Sequence, residues 1–315
     1  MSELSRLRRL RGRFAGPQPA GVLTGIGDDA AVLCGSELAQ VWTIDSAVEG
    51  KHFKRDWMSL QDIGYRSLMA AASDLAAMGA SPRGVLSSLV LPASFSDDEL
   101  DQLVDGQKDA ACALGTALIG GNLSAGGELS ITTTVLGQTT RPLLRSGARP
   151  GDHLAVAGPL GLARAALEAL QSGQSSPLLH EAMAVFRRPL ARIAQGEQAR
   201  DAGAHAAIDL SDGLVLDAAR LAEESGVGLV LRERDVLACA GVALAEAAAV
   251  LSRDPLQLAL FGGEDYALLA TFPDRVPLGF WTIGHVETGS GVLLESATGE
   301  RSALNPRGFD HFAPA

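Results

Sequence analysis

The sequence has few residues that could form covalent cross-links or bind a soft metal. Its three cysteines, Cys34, Cys112 and Cys239, are far apart along the chain and odd in number. This spacing gives neither a disulfide framework nor a zinc-ligand pattern, so a reducing cytoplasm is the default location. The six histidines are scattered as well. The sequence therefore gives no support to a zinc site or to a disulfide-stabilised secreted fold.

Aromatic residues and positive charge are also scarce. Aromatics make up 4% of the 315 residues, so the core must consist mainly of Leu, Val, Ile and Ala. The formal net charge of −11 argues against a nucleic-acid-binding protein, because such proteins normally present a basic face. The charge fits an enzyme that gathers carboxylates around metal ions, although many acidic proteins are simply soluble.

No apolar run has the length of a membrane span or an export signal. Five arginines lie between Met1 and Phe14, but no apolar stretch of signal-peptide length follows them. The longest alanine-rich run, from Val236 to Leu251, is interrupted by Glu246 and is too short to cross a bilayer. We therefore expect a soluble, cytoplasmic protein without a membrane partner.

Apolar runs of strand length alternate with helical patterns along the chain, which is typical of an α/β or α+β protein. The predicted strands are Val41–Asp45, Val85–Leu91, Leu129–Gly137, His153–Ala157, Val227–Leu231, Tyr266–Thr271 and Trp281–Val286. Two helices are predicted from capping signals, one at Ser59 and Asp62 and one at Ser96 and Glu99.

The stretch 145–152, RSGARPGD, is rich in Gly, Pro and charge and is the best candidate for a domain boundary. It predicts an N-terminal domain over residues 1–146 and a C-terminal domain over residues 147–315.

Acidic residues recur at positions where side chains from different elements can converge. Asp28 and Asp29 lie between glycines and a short apolar run, although a surface turn would have the same composition. Asp45 closes a predicted strand, where it could bind a ligand or simply lead the chain out of the sheet. Asp74 stands in a predicted helix of Ala, Leu and Met, where a carboxylate is costly unless a cation or a buried hydrogen bond compensates it.

Two further motifs suit phosphate and metal binding. Gly120-Gly121-Asn122 ends an apolar run and would let backbone approach a phosphate closely, although this signal is weak alone. Asp209, Ser211 and Asp212 precede a helical pattern, so helix N–H groups could meet a phosphate and the carboxylates could meet Mg²⁺. Ser211 or Asp212 could equally be a plain helix cap.

Other nucleotide and hydrolase sites are not supported. The sequence contains no Walker-type GxxxxGK[ST] string and no GxSxG nucleophile elbow. Mg²⁺ binds oxygen ligands and usually joins one or two carboxylates to substrate phosphates, which matches the motifs present.

In this order, the motifs resemble those of thiamine-monophosphate kinase, in the superfamily of aminoimidazole ribonucleotide synthetase. The matching strings are GIGDDAAVL, TIDSAVEGKHF, SDLAAMGASP, GGN, RSGARPGD, IDLSDGL, FGGEDYALL, IGHV and GFDHF, which span residues 25–312. The resemblance implies a two-domain PurM-like fold, with an N-terminal α/β domain that forms a dimeric β-barrel and a C-terminal α/β domain. It also implies ATP-dependent phosphorylation of thiamine monophosphate to thiamine diphosphate, with several Mg²⁺ ions, in a homodimer.

The resemblance also implies roles for individual residues. The implied metal ligands are Asp29, Thr43, the backbone of Ile44, Asp45, Asp74, Asn122, Asp209 and Asp212. The implied nucleotide contacts are Gly121, Asn122, Arg145 and Ser211. The implied thiamine-phosphate contacts are His52, Glu264 and Phe309. Outside the family pattern, Arg145 could form a salt bridge in the interdomain loop, Glu264 could be a turn carboxylate and His52 could be an ordinary hydrogen-bonded histidine.

No protein base is expected, because the acceptor is already a phosphate oxyanion near neutral pH; metals and Arg145 would assist the transfer. The chain departs from the family pattern at Asn122, where the kinases usually have Asp, and an amide would bind Mg²⁺ more weakly. Phe309 is another variable position. Two alternatives therefore stay open: another ATP-dependent synthetase of the superfamily, and a nucleotide-binding paralogue without turnover.

Overall fold

In the computed structural model, the described residues are 9–14, 20–24 and 32–306. The chain divides into two compact units. Unit 1 comprises Met1–Leu75 and Ala80–Thr140, and unit 2 comprises Ala76–Gly79 and Arg141–Ala315.

Unit 1 is built on a four-stranded sheet with two long helices. Its elements are α1 (residues 9–13), β1 (Val22–Thr24), β2 (Val32–Leu33), β3 (Ala39–Val48), α2 (Leu60–Ala77), β4 (Ser81–Pro92), α3 (Asp97–Ala113), β5 (Leu118–Gly126) and β6 (Ser130–Thr139). The last two residues of α2, Ala76 and Ala77, fall in unit 2. The strand order is β3-β6-β4-β5, so β3 and β5 are the edges. Strand β6 is antiparallel to both neighbours, whereas β4 and β5 are parallel. Within the described residues the sheet is open and does not close into a barrel.

Both predicted helix starts are confirmed. The Ser96 hydroxyl accepts the Glu99 N–H at 3.2 Å, and Glu99 Oε2 accepts the Ser96 N–H at 2.7 Å, which is a complete capping box. The Ser59 hydroxyl accepts the Asp62 N–H at 3.1 Å at the start of α2. These bonds satisfy amide donors that have no partner inside the helix.

Helices α2 and α3 approach each other closely because each has a glycine at the contact. A Cβ atom on Gly64 would lie 2.0 Å from the Leu103 carbonyl oxygen, and one on Gly106 would lie 1.8 Å from the Gln61 carbonyl oxygen. The absence of side chains at these two positions therefore sets the distance between the helices.

The two faces of the four-stranded sheet differ in exposure. Side chains on one face, such as Val85 and Ile131, are fully buried. The other face carries Trp42 and Ile44, which are 63% and 66% exposed, together with Leu86 at 36%. Unit 1 therefore has an exposed sheet face that carries large apolar side chains, named here the open face.

Unit 2 is built on a seven-stranded sheet in the order β13-β12-β9-β11-β7-β10-β8. Its elements are β7 (His153–Ala157), α4 (Leu162–Ser172), a 3₁₀ helix (Pro177–Leu179), α5 (His180–Arg187), α6 (Ile193–Asp201), β8 (Ala206–Leu210), α7 (Leu214–Ser225), β9 (Gly228–Arg232), α8 (Glu233–Leu251), α9 (Pro255–Phe261), β10 (Ala267–Phe272), β11 (Trp281–Glu287), β12 (Gly291–Glu295) and β13 (Arg301–Ala303). Neighbouring strands are antiparallel except β9 and β12. The core rests on fully buried aliphatic strand residues, as the low aromatic content predicted.

All seven predicted strands are present, but two predictions about strand ends are wrong. Asp45 does not close its strand, because the ladder between β3 and β6 continues to the pair Val48 and Ser130. Likewise, Gly120–Asn122 does not follow a strand but lies inside β5. In both cases a neighbouring strand supplies backbone hydrogen bonds that extend the element beyond its apolar run.

In the described part of the chain, no single helix has the length and apolar composition of a membrane span; α8 and α9 pass that test only as a pair, bent by 112°. The three cysteines are free thiols.

Candidate active site

In unit 1, strand β3 and helix α2 bring two of the predicted metal ligands together. The Thr43 hydroxyl donates a hydrogen bond to Asp74 Oδ2. Thr43 and Asp45 are two residues apart on β3, so both side chains project toward the side of the sheet that α2 covers. The Ile44 side chain projects to the open face, so only its backbone could take part on the helix side.

This set of groups fits a magnesium ion chemically. A hydroxyl and two carboxylates are all oxygen donors, which Mg²⁺ prefers, and the Thr43 bond also compensates the carboxylate of Asp74 inside an apolar helix. Among residues 9–14, 20–24 and 32–306, no group of three or more His, Cys, Asp or Glu side chains is arranged to hold a metal. Asp29, a predicted ligand, lies outside the described residues.

Asn122 is not brought to Asp45 or Asp74 within unit 1. Strands β3 and β5 are opposite edges of the sheet with two strands between them, a separation of roughly 14 Å. The cross-strand pairs Asn122–Ser88, Ser88–Thr132 and Thr132–Ser46 place Asn122 on the open face, opposite to the face of Asp45.

Local packing explains the glycine beside Asn122. A Cβ atom on Gly121 would lie 2.0 Å from the Ser87 carbonyl oxygen, so the contact between β4 and β5 requires glycine there. The Asn122 amide Nδ2 donates to the Ser124 hydroxyl at 3.1 Å. The sequence attributed these glycines to phosphate binding, and close strand packing is a second reason for them.

The loop after β3 holds His52 in one orientation. His52 Nδ1 accepts the Val48 N–H at 3.0 Å, so in the neutral ring Nε2 carries the hydrogen. The same loop borders an open cleft of about 590 Å³, lined by Glu49, Gly50, Lys54, Arg55, Asp56, Met58, Ser59, Leu60 and Glu99. Arg55 pairs with Glu49 at 2.7 Å across this loop.

In unit 2, Asp209 lies near the end of β8, and the turn between β8 and α7 carries Ser211 and Asp212. Asp209 is 6% exposed and lies opposite Leu268 of β10. The N-cap of α7 is Gly213 with a φ of 118°, and no side chain caps the helix. The interpretation of Ser211 or Asp212 as a helix cap is therefore wrong.

Two residues that the sequence did not single out hold this turn. Asp217 is 1% exposed, and its Oδ2 accepts the N–H groups of Ser211 at 3.1 Å and Asp212 at 3.0 Å. Arg220 Nη1 donates to Asp212 Oδ2 at 2.6 Å and to Asp217 Oδ1 at 2.7 Å. Burial raises the pKa of Asp217 to about 6. An aspartate on the apolar side of a helix was the signal used for Asp74, and the same signal could have found Asp217.

The loop before β10 brings Glu264 next to this turn. The Glu264 N–H donates to the Ser211 carbonyl at 2.8 Å, and the Tyr266 N–H donates to the Leu210 carbonyl at 3.0 Å. Glu264 and Tyr266 have φ values of 67° and 48°, a conformation that non-glycine residues rarely adopt. The backbone that carries the predicted substrate contact is therefore tied directly to the backbone that carries the predicted metal ligands.

Asp265, between those two residues, anchors the loop from the opposite side. It is 2% exposed and accepts the N–H groups of Gly161 at 2.5 Å and Ala163 at 3.0 Å, at the start of α4. Burial raises the pKa of Asp265 to about 7, against the lowering effect of these two bonds. The sequence did not single out this residue either.

Arg145 is not brought to the turn of unit 2. It is exposed, and its carbonyl oxygen accepts the Ser225 hydroxyl at 2.8 Å, at the last residue of α7. Ser211 and Asp212 precede the first residue of α7, a helix roughly 18 Å long. Phe309 lies outside the described residues.

The chain is similar to known proteins along most of its length. Residues 27–139 match the family model for AIR synthase related protein, N-terminal domain. The thiamine-monophosphate kinase of Mycobacterium tuberculosis is 37% identical over 293 residues, covering 91% of this chain and 85% of that protein. The structure of AaThiL complexed with AMPPCP and TMP is 31% identical with a TM-score of 0.81, covering 98% of this chain and 97% of that one. The thiamine-monophosphate kinase of Stenotrophomonas maltophilia is 33% identical with a TM-score of 0.81, covering 94% and 97%.

Proposed function

The chain belongs to the thiamine-monophosphate kinase family, and from this premise we propose that it transfers the γ-phosphoryl group of ATP to thiamine monophosphate, giving thiamine diphosphate. The observation that carries the proposal is the 37% identity with the Mycobacterium tuberculosis kinase over 91% of this chain. The similarity to AaThiL, which was solved with AMPPCP and TMP, supports a nucleotide and a phosphorylated acceptor as the two substrates.

The transfer we propose is direct and in line. The acceptor phosphate is largely ionised at neutral pH, since the second pKa of a phosphate monoester is about 6. No side chain therefore has to remove a proton, and the protein has to hold two polyanions in line. Bound Mg²⁺ ions would supply neutralisation of the repulsion between them.

The residues assigned to metal binding are oxygen donors in both units. In unit 1 they are Thr43, Asp45, Asp74 and the Ile44 backbone, together with Asp29. In unit 2 they are Asp209 and Asp212. Asn122, which belongs to unit 1, is assigned a weaker contact with metal. The hydrogen bond between Thr43 and Asp74 and the all-oxygen composition support this assignment.

The remaining residues are assigned to the substrates. Gly121, Asn122, Arg145 and Ser211 are assigned to ATP, with the Arg145 guanidinium suited to bidentate phosphate contacts. His52 would donate from Nε2 to thiamine monophosphate, because its Nδ1 is occupied by the Val48 N–H. Glu264 would offset the positive charge of the thiazolium ring, and Phe309 would stack on it.

We also propose that the enzyme is a cytoplasmic homodimer that pairs the open faces of two copies of unit 1 into a barrel. The exposed Trp42 and Ile44 support this, because large apolar side chains exposed side by side are typical of a protein contact. Light scattering should give twice the chain mass, and Trp42→Glu should shift the protein to monomer. A monomeric wild type would refute the dimer.

Incubation of the purified protein with ATP, Mg²⁺ and thiamine monophosphate tests the function. Thiamine diphosphate, measured by chromatography, is the expected product, with one ADP formed for each molecule. Turnover only with a different acceptor would identify another synthetase of the superfamily. Nucleotide binding without turnover would identify a paralogue that has lost the reaction.

A further inference from the structure

The turn that carries Ser211 and Asp212 is not held by regular secondary structure. It lies between the last residue of β8 and the N-cap of α7, and Gly213 has no side chain with which to brace it. The only turn amides before Gly213, those of Ser211 and Asp212, both donate to one oxygen of Asp217. Besides the Glu264 N–H that donates to the Ser211 carbonyl, a side chain in the first turn of the following helix therefore fixes the position of the turn.

A carboxylate at position 217 would be energetically unfavourable if its role were only to pack against neighbouring residues. Asp217 is 1% exposed in a helix whose other buried residues are Leu214, Val215, Ala218, Leu221 and Ala222. An alanine there would avoid removing a charge from water. What the carboxylate adds is a fixed acceptor for two neighbouring amides.

The second oxygen of Asp217 extends this support to the Asp212 side chain. Arg220 Nη1 contacts Asp217 Oδ1 and Asp212 Oδ2 together, so one nitrogen links the two carboxylates. Because Arg220 takes Oδ2, Oδ1 is the Asp212 oxygen left to meet a cation.

We propose that Asp217 is a positioning residue of the kinase, which fixes the Ser211–Asp212 turn through two amides and aims the Asp212 carboxylate through Arg220. The inference rests on the proposed function, because it takes Asp212 as a ligand for Mg²⁺. Asp217 itself contacts neither substrate nor metal. Loss of such outer support typically weakens metal affinity by about tenfold or more.

Binding of Mn²⁺, followed by electron paramagnetic resonance without turnover, provides the test. Asp212→Asn should weaken one Mn²⁺ site, and Asp217→Asn should weaken the same site about tenfold. Asp217→Glu keeps the charge but moves the carboxylate by one methylene, so it should weaken the site as well. Asp152→Asn is the matched control, because Asp152 is 3% exposed, accepts the Arg149 N–H at 2.9 Å and pairs with His205. Its Mn²⁺ affinity should equal that of wild type.

The outcomes separate this inference from the proposed function. If Asp212→Asn weakens the site while both Asp217 variants bind Mn²⁺ like wild type, the inference is overturned and the ligand assignment stands. If Asp212→Asn itself binds like wild type, the ligand assignment fails. Hydrogen exchange of the wild-type protein gives a check that does not depend on variant folding: the amides of Ser211 and Asp212 should be protected, and rapid exchange would also overturn the inference.

Discussion

The proposed metal binding depends on individual carboxylate oxygen atoms. Asp74 Oδ2 accepts the Thr43 hydroxyl, and Asp212 Oδ2 accepts Arg220 Nη1, so each carboxylate is held by a side chain of the protein. Such a hydrogen bond fixes the direction of a carboxylate before a cation binds. These two residues are therefore the most direct targets for mutation.

Asp74→Asn should lower turnover by about 100-fold or more, because an amide loses the charge that neutralises a cation beside the phosphates. The fold should be retained, since the amide oxygen can still accept the Thr43 hydroxyl. Initial rates and a thermal melt measure the two effects. Asp109→Asn, which removes a carboxylate from the exposed side of α3, is the control. Full activity of Asp74→Asn would remove this residue from the metal set.

Asn122→Asp restores the acidic residue usual in the family and should lower the Mg²⁺ concentration for half-maximal rate roughly tenfold, a change of about 1.4 kcal/mol. The rate is measured across a Mg²⁺ titration at saturating ATP. Ser124→Ala is the control, because it breaks the Asn122–Ser124 hydrogen bond without adding charge. An unchanged or higher Mg²⁺ requirement for Asn122→Asp would refute a metal contact at this position.

At this scale the sequence predicted the residue types of the site but not what supports them. Asp74 was singled out because an acid in an apolar helix is conspicuous, whereas Glu264 was implied only by the family resemblance. Asp265 was missed, because a carboxylate that accepts backbone amides leaves no sequence pattern beyond its own presence. Asp217 was missed although it is an acid in an apolar helix, and its two amide partners could not be predicted from the sequence. Which oxygen of Asp212 accepts a hydrogen bond depends on Arg220, eight residues later, and the sequence gives no sign of this contact.

At the scale of elements, glycines and caps determine how the helices lie. The backbones of α2 and α3 are in close contact at Gly64 and Gly106, and Asp74 lies on the same helix as Gly64. A change in the helix contact would therefore be transmitted to the carboxylate.

Gly106→Ala should destabilise unit 1 by about 3 kcal/mol, because the new methyl group would meet the Gln61 carbonyl oxygen at 1.8 Å. Alanine favours a helix by roughly 1 kcal/mol relative to glycine, so a loss of stability would have to come from the contact between the two helices. Gly12→Ala is the matched control, since Gly12 is helical with nothing within 4 Å of its Cβ position, and it should be neutral or stabilising. Urea unfolding measures both. Equal stability of the two variants would contradict the close packing.

The sequence predicted these elements unequally. Helix starts at Ser59 and Ser96 follow from local hydrogen bonds, which a few adjacent residues determine. Strand ends do not, because β3 continues past Asp45 only while β6 remains beside it. For the same reason the sequence did not predict β5, because Gly120–Asn122 ends a short apolar run and is part of a strand only through pairing with β4.

At the scale of the whole molecule, buried charge makes stability depend on pH. Asp265 has a folded-state pKa of about 7, above its ordinary value of 3.8, because burial outweighs its two amide bonds. A raised pKa means that the folded chain binds the proton more tightly than the unfolded chain does. The stability contributed by this group is therefore full at low pH and is lost as the pH rises toward 7.

Relative to Asp265→Asn, the wild type should lose on the order of 3 kcal/mol of unfolding free energy between pH 5 and pH 8. The neutral amide of the variant cannot titrate, so its own curve lacks this component. Urea unfolding of both proteins at several pH values measures the difference. Parallel curves across that interval would show that Asp265 does not titrate there.

The overall architecture was only partly available from the sequence. The alternation of strands and helices predicted a mixed α/β protein, and the ordered motifs resembled one kinase family, which the comparisons confirm. The strand orders could not be predicted, because β7 pairs with strands that lie more than a hundred residues later, and apolar patterns do not say which strands become neighbours. Dimer formation stays a prediction.

The strand order of unit 2 also bears on how the chain is made. Strand β7 ends at Ala157, but its neighbours β10 and β11 begin only at Ala267 and Trp281. During synthesis β7 therefore leaves the ribosome long before either neighbour exists, with both of its edges unsatisfied. A nascent chain stalled before Ala267 should leave this sheet unformed and open to proteolysis, whereas unit 1, whose last strand ends at Thr139, can already be complete.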